Sequence, residues 1–110
     1  MNSRSKGKRG ELEVVHLLKE LGIEARRGQQ YEGSSNSPDV VVGPPLETLH
    51  IEVKRREAGN LYHWLAQAKN ECAGKTPVVF HKRNGEEWVA ILSLIDFLTI
   101  MRLLHGRQTQ

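Results

Sequence analysis

Cysteine is all but missing from this 110-residue chain: Cys72 stands alone. One thiol closes no intrachain disulfide and builds no structural zinc site, so disulfide scaffolds and zinc fingers are excluded. Long apolar runs are missing too. The most hydrophobic stretch, Trp88 to Leu104, is interrupted by Ser93, Asp96, Thr99 and Arg102 and does not suit a membrane span. The N-terminal residues, Met1 to Arg9, are basic and polar with no apolar segment behind them, unlike a secretory signal. No internal repeat or low-complexity tract occurs, and no linker long enough to divide the chain in two. The expectation is a soluble, cytoplasmic protein of one domain.

Enough is present to build a core. Hydrophobic residues make up 38% and charged residues 26%, proportions of a globular chain rather than a disordered one. Sixteen Lys+Arg against thirteen Asp+Glu leave a formal charge of +3.

Apolar residues at Leu12, Val14, Val15, Leu17, Leu18 and Leu21 follow a helical period from Gly10, and Gly22 ends that helix. Ile23 to Arg27 reads as a short strand, residues 28–38 (GQQYEGSSNSP) as a polar loop, and Asp39 to Gly43 as a strand broken by Pro44-Pro45. Leu49 to Arg55 alternates apolar and polar residues, as a half-buried strand does. A second helix covers Leu61 to Ala73. Strands over Thr76–Lys82 and Glu87–Leu92 flank Asn84-Gly85, a hairpin signal. Ser93 caps a last helix to about Leu104, with Gly106 behind it. The order α-β-β-β-α-β-β-α predicts an α/β fold, a small mixed five-stranded sheet flanked by helices. Residues 1–9 are expected to be a basic, partly flexible arm, and 10–106 the domain.

Chemistry concentrates in LHIEVKRR, residues 49–56. On a strand, His50, Glu52, Lys54 and Arg56 share one face, with neighbours about 7 Å apart. Alone, E-x-K also describes a solvated ion pair on an exposed strand. Asp39 adds weight, because thirteen residues separate it from Glu52 and a hairpin turning at Gly43-Pro44-Pro45-Leu46 brings the two together. Two converging carboxylates beside a lysine suit a hard cation, Mg²⁺ or Mn²⁺. Glu11 lies one turn before the inward stripe of the first helix. A carboxylate there either joins the acidic site or is a helix-start glutamate favoured by the macrodipole.

These residues carry a resemblance. Glu11 in GKRGELEVVHLLKELG, Asp39 in SPDVVV and Glu52-Val53-Lys54 in IEVKRRE resemble the PD-(D/E)xK nuclease superfamily, with its restriction-endonuclease-like fold. Within it they are most similar to the archaeal-type Holliday-junction resolvases, closely over residues 6–56. The resemblance implies that Asp39, Glu52 and the Val53 carbonyl ligate a divalent metal, and that Glu11 joins them directly or through water. Lys54 would orient or activate the attacking water. Ser34 and Ser35 match a functional loop serine, although Gln29-Gln30-Tyr31-Glu32 departs from the usual basic, glycine-rich loop. Gln67 corresponds to an accessory helical residue of several branches, and on its own it reads equally as surface polarity of a helix.

The nuclease reading also has a chemical basis. A carboxylate-held metal stabilises charge on a phosphodiester undergoing hydrolysis, and a lysine adds positive charge where negative charge develops. Lys6, Lys8, Arg9, Arg26, Arg27, Arg55 and Arg56 flank the acids and are candidates for a phosphate-binding groove, with Tyr31 a candidate for stacking on a base. His50 is expected to be a bystander, and His16, His63, His81 and His105 show no ligand spacing. The last helix is apolar most of the way round, which predicts burial on two sides and a homodimer through residues 93–104. The expectation is therefore a Mg²⁺-dependent endonuclease, with Mn²⁺ as a substitute, acting on branched DNA such as a four-way junction. The alternatives are a restriction, nicking or repair nuclease, and a basic DNA-binding module without turnover.

Overall fold

The computed structural model describes residues 3–28 and 37–108, and the side chains of 7–28 and 37–106. Helix α1 spans Ser3–Glu20, followed by strands β1 (Ala25–Arg27), β2 (Val40–Val42) and β3 (Leu49–Arg55). Helix α2 (Leu61–Glu71), strands β4 (Thr76–Lys82) and β5 (Val89–Ile91) and helix α3 (Leu94–Gln108) complete the predicted order. The five strands form one sheet in the order β1-β2-β3-β4-β5. Every pairing is antiparallel except β3 with β4, whose crossover is α2.

Local chemistry sets the element ends. Gly22 leaves α1 at φ 80°, while the Gly22 and Ile23 amides donate to the carbonyls of Lys19 and Leu18 at 3.0 and 2.9 Å. This pair of bonds is a Schellman closure, and the positive φ suits glycine. Asn60 Oδ1 caps α2 by accepting from the Tyr62 and His63 amides, and Ser93 Oγ caps α3 by accepting from Asp96.

Strands β1 and β2 and helix α2 are shorter than expected by one or two residues at an end, and three other boundaries differ. Helix α1 begins at Ser3 rather than Gly10, so residues 3–9 are helical. Lysine and arginine are good helix formers, but residues 3–9 carry no apolar side chain, so no hydrophobic period marks them. Helix α3 continues past Gly106 to Gln108. Strand β5 starts at Val89, two residues later than expected, so the Asn84-Gly85 connection is longer than a two-residue hairpin.

The sheet is covered on both faces. Val14, Val15 and Leu18 of α1 pack on Ala25, Val40, Ile51 and Val53. On the other face Trp64 and Ala68 of α2 pack on Val79, and the Trp64 and His81 rings lie 4.9 Å apart. Central strand β3 therefore has no wet face: His50 is 2% exposed and Glu52 4%. A solvated ion pair on an exposed strand is excluded.

Helix α3 is the exception to this packing. Leu94, Ile95, Phe97, Leu98, Met101, Leu103 and Leu104 are all between 46 and 72% exposed, so within one chain the helix is not covered on two sides as its composition predicts. No helix among the described residues is long and apolar enough to cross a membrane.

The contact between α1 and the end of β3 is close. A Cβ on Gly10 would sit 2.7 Å from Arg55 Cβ and 3.3 Å from Val53 Cγ1, whereas one on Gly7 meets nothing within 4 Å. Gly10→Ala is expected to destabilise by about 1–3 kcal/mol through overpacking, a Tm fall of about 4–8 °C per kcal/mol. Gly7→Ala should be neutral or stabilising by up to about 1 kcal/mol. Thermal unfolding followed by circular dichroism checks both signs.

Candidate active site

Asp39 leads into β2, and its amide donates to the Ile51 carbonyl at 2.9 Å. With Val40 opposite Ile51, alternation puts Asp39 and Glu52 on the same face, the one covered by α2. Asp39 Oδ2 accepts from the Val53 amide at 2.8 Å. The expected convergence of Asp39 and Glu52 is thus built by the β2–β3 hairpin.

Glu52 pays for its position electrostatically. Burial, and after it the neighbouring carboxylates of Asp39 and Glu71, push its pKa up to about 10. The metal-free protein accordingly holds a proton on Glu52 at neutral pH. His50 is no bystander: His50 Nε2 and Glu52 Oε1 share a 2.8 Å hydrogen bond, both side chains at most 5% exposed. Burial lowers the imidazole pKa, so the contact joins two neutral groups rather than an ion pair. His50, Glu52 and Glu71 offer ligand atoms all within 4.8 Å of one another.

Lys54 follows on the same strand face, and its Nζ donates to Gln67 Oε1 at 3.3 Å. Gln67 is thereby placed beside the E-x-K motif by α2. Glu11 lies on the α1 side, where Oε1 accepts from Arg27 Nε at 2.9 Å. Its pKa is raised by burial, against the lowering by Arg27, and the Asp39 charge adds to the rise. Glu11 therefore feels Asp39 electrostatically, while its hydrogen bond goes to Arg27.

The basic residues divide. Arg27 is engaged by Glu11. Arg55, expected among DNA contacts, turns to the α1 side: its side chain is 10% exposed and ion-pairs with Glu13 at 3.8 Å and Glu57 at 3.7 Å. It also donates to Asn84 Oδ1 at 3.0 Å and to the Lys82 carbonyl at 3.4 Å. That makes it a clamp between α1, β3 and the β4–β5 turn. Lys8, Arg9 and Arg56 are exposed. Lys54 and Arg56 line a groove of about 360 Å³ with Gly7, Val53, Arg55, Glu57 and Ala58, and Arg26 lines a separate one with Glu24, Val41 and Val42. Tyr31, Ser34 and Ser35 and the side chain of Lys6 lie outside the described residues. Their loop nonetheless starts and ends at the site, because the Gly28 amide donates to the Asp39 carbonyl at 2.8 Å.

Sequence reasoning missed two groups. His50 had a signal, since period two puts it on the Glu52 face. Glu71 had none, because only the crossover helix brings it there.

The donor set fits a hard divalent cation. Asp39 and Glu52 supply buried oxygen ligands, Glu52 carries a proton where a cation would otherwise offset its charge, and among the described residues no Lys or Arg ion-pairs with Glu52.

Comparisons with known proteins agree with this architecture. A family model described as archaeal Holliday junction resolvase (Hjc) matches residues 2–94. The solved structure of Hjc from Archaeoglobus fulgidus, a Holliday junction resolvase from an archaeal hyperthermophile, is similar with a TM-score of 0.58 and 26% identity. The match covers 78% of this chain and 76% of that one. No curated protein matches.

The raised pKa of Glu52 has a measurable sign. Folded Glu52 keeps its proton up to about pH 10, whereas the unfolded side chain releases it near 4.5. Stability from this group is complete below pH 4.5 and declines as pH rises above it. Glu52→Gln removes that loss. In EDTA the variant should match wild type near pH 4.5 and exceed it at pH 8 by about 1 kcal/mol or more, a Tm rise of about 4–8 °C per kcal/mol. Wild-type stability equal to or above the variant's at pH 8 would contradict the assignment.

Proposed function

Because the chain belongs to the archaeal Holliday junction resolvase family, we propose that it is a divalent-metal-dependent endonuclease that cuts four-way DNA junctions. The observation that carries this reading is the buried Asp39–Glu52 pair with Lys54 next to it at the rim of an open groove.

Asp39, Glu52 and the Val53 carbonyl would hold Mg²⁺, with Mn²⁺ as a substitute, and Glu11 would add its carboxylate directly or through water. When bound, the ion supplies positive charge for the phosphorus centre and acidifies water. The remaining work belongs to the protein. Asp39 is fixed by the Val53 amide, so one ligand is oriented before any ion arrives. Gln67 holds the Lys54 ammonium on the Glu52 side of the strand, where it aligns the attacking water and opposes charge on the phosphate oxygens. Arg56 lines the groove, and Lys8, Arg9 and Lys6 extend positive charge along the start of α1 for the phosphate backbone. Residues 29–36, which include Tyr31, Ser34 and Ser35, are the segment proposed to contact the branch. Arg27, at the surface, holds Glu11, and the largely buried Arg55 holds α1.

The exposed apolar surface of α3 supports a homodimer. A C2 pair would present two active sites to two strands of a junction of matching symmetry.

Junction cleavage tests the reading. Wild type should cut a four-way junction with Mg²⁺ or Mn²⁺, in preference to linear duplex or single strand, and not in EDTA. Asp39→Asn and Glu52→Gln should each abolish cutting with junction binding retained. Lys54→Ala should slow cleavage by about 10²-fold or more while weakening binding less than about tenfold, since affinity is spread over many phosphate contacts. Metal-independent binding with no cleavage by wild type would instead identify a DNA-binding module.

Assembly has its own measurement. Phe97→Glu or Met101→Glu places a carboxylate on an apolar face of α3, a strongly unfavourable burial. Sedimentation should show a wild-type dimer and a folded monomer for at least one variant, with paired cuts across the junction lost. A monomeric wild type at micromolar concentration rejects the dimer and leaves the metal site untouched.

A further inference from the structure

His50, Glu52 and Glu71 form a second arrangement of donors, of which the Asp39–Glu52 position uses only Glu52. Their ligand atoms lie within 4.8 Å of one another, against roughly 3–3.5 Å between ligands of one tetrahedral ion. Only a small closure is needed. Burial has already removed much of the water from two of the three: His50 and Glu52 are 2% and 4% exposed. Glu71 is partly exposed and gives an ion a route to the other two.

The composition of this set differs from that of the first. Asp39, Glu52 and a backbone carbonyl are all oxygen donors, suited to Mg²⁺. One imidazole nitrogen with two carboxylates suits a borderline ion, Zn²⁺ above all, which Mg²⁺ does not rival at nitrogen.

Position supports the same assignment. Glu71 is the last residue of α2, where the helix macrodipole favours positive charge. Among the described residues no Lys or Arg ion-pairs with Glu52 or Glu71, and Lys75, the nearby cation that His50 feels, pairs with neither. Two carboxylates beside a buried imidazole thus face each other at a helix C-terminus with no cation paired to them.

From this geometry we infer that His50, Glu52 and Glu71 bind a Zn²⁺-class ion at a site separate from the Asp39–Glu52 position. Glu52 belongs to both, so an ion held by His50 and Glu71 takes a ligand from the position that serves cleavage. Zn²⁺ thereby competes with Mg²⁺ for one side chain rather than replacing it in place.

The test uses the full chain without DNA and does not require that it be a nuclease. Zn²⁺ is titrated by calorimetry, and Co²⁺, as a spectroscopic stand-in, by visible absorption. Wild type should bind one Zn²⁺ per chain, more tightly than Mg²⁺. Glu71→Gln and His50→Ala should each weaken Zn²⁺ by at least about tenfold, and His50→Ala should alter the Co²⁺ spectrum by removing its nitrogen ligand. Asp39→Asn should keep Zn²⁺ binding and lose Mg²⁺. The inference fails if Zn²⁺ does not bind at micromolar concentration. It also fails if Asp39→Asn abolishes Zn²⁺ binding while Glu71→Gln leaves it intact. Should His50→Ala not fold, Glu71→Gln at its partly exposed helix end decides the matter. Zn²⁺ binding retained in a protein that cuts no junction would overturn the nuclease proposal and leave this site standing.

Discussion

Like charges in a dry place are the constraint around which this small protein is arranged. Strand β3 lies between two helical layers, yet it carries a histidine and a glutamate on the face an ordinary central strand would give to valine or isoleucine. Asp39 comes to the same face from β2, and Glu71 from the end of α2. The sheet must therefore be stable enough elsewhere to tolerate a carboxyl whose pKa stands near 10. The α1 face supplies that stability through Val14, Val15, Leu18, Val40, Ile51 and Val53, which form one apolar cluster. One face of the same strand serves packing and the other chemistry.

Positioning is as economical. The amide of Val53 fixes Asp39, α2 delivers Gln67 to Lys54, and Arg55 ties α1 to the far end of the strand. Consecutive residues 52 to 55 thus alternate between the α2 face and the α1 face of the sheet. A one-residue slip in β3 register would exchange the two roles throughout.

Much of this was legible in the chain. The thirteen-residue spacing from Asp39 to Glu52, with prolines between, specified the hairpin. Period two in LHIEVKRR placed Glu52 and Lys54 together, and the cap and glycine signals located the helices. What could not be read depended on tertiary cover. Whether His50 meets water or Glu52 is decided by α2, twenty-one positions away in the case of Glu71. Arg55 reads as one more basic residue until Glu13 and Glu57 are seen beside it. The early start of α1 was hidden because residues 3–9 contain no apolar side chain to show a period. Gly10 is there because α1 and β3 approach too closely for a larger residue.

The hydrogen bond from the Gly28 amide to the Asp39 carbonyl bears on how such a protein can change over evolutionary time. It closes the base of a ten-residue excursion beside the acidic site. Closing a longer excursion costs little, about 0.6 kcal/mol for each doubling of length. Insertions, deletions and wholesale exchange of residues 29–38 can therefore accumulate without shifting Asp39, since the strain they create is absorbed beyond the closing bond. That stretch of sequence becomes an evolvable cassette, free to drift between lineages, while Asp39 and Glu52 stay in register.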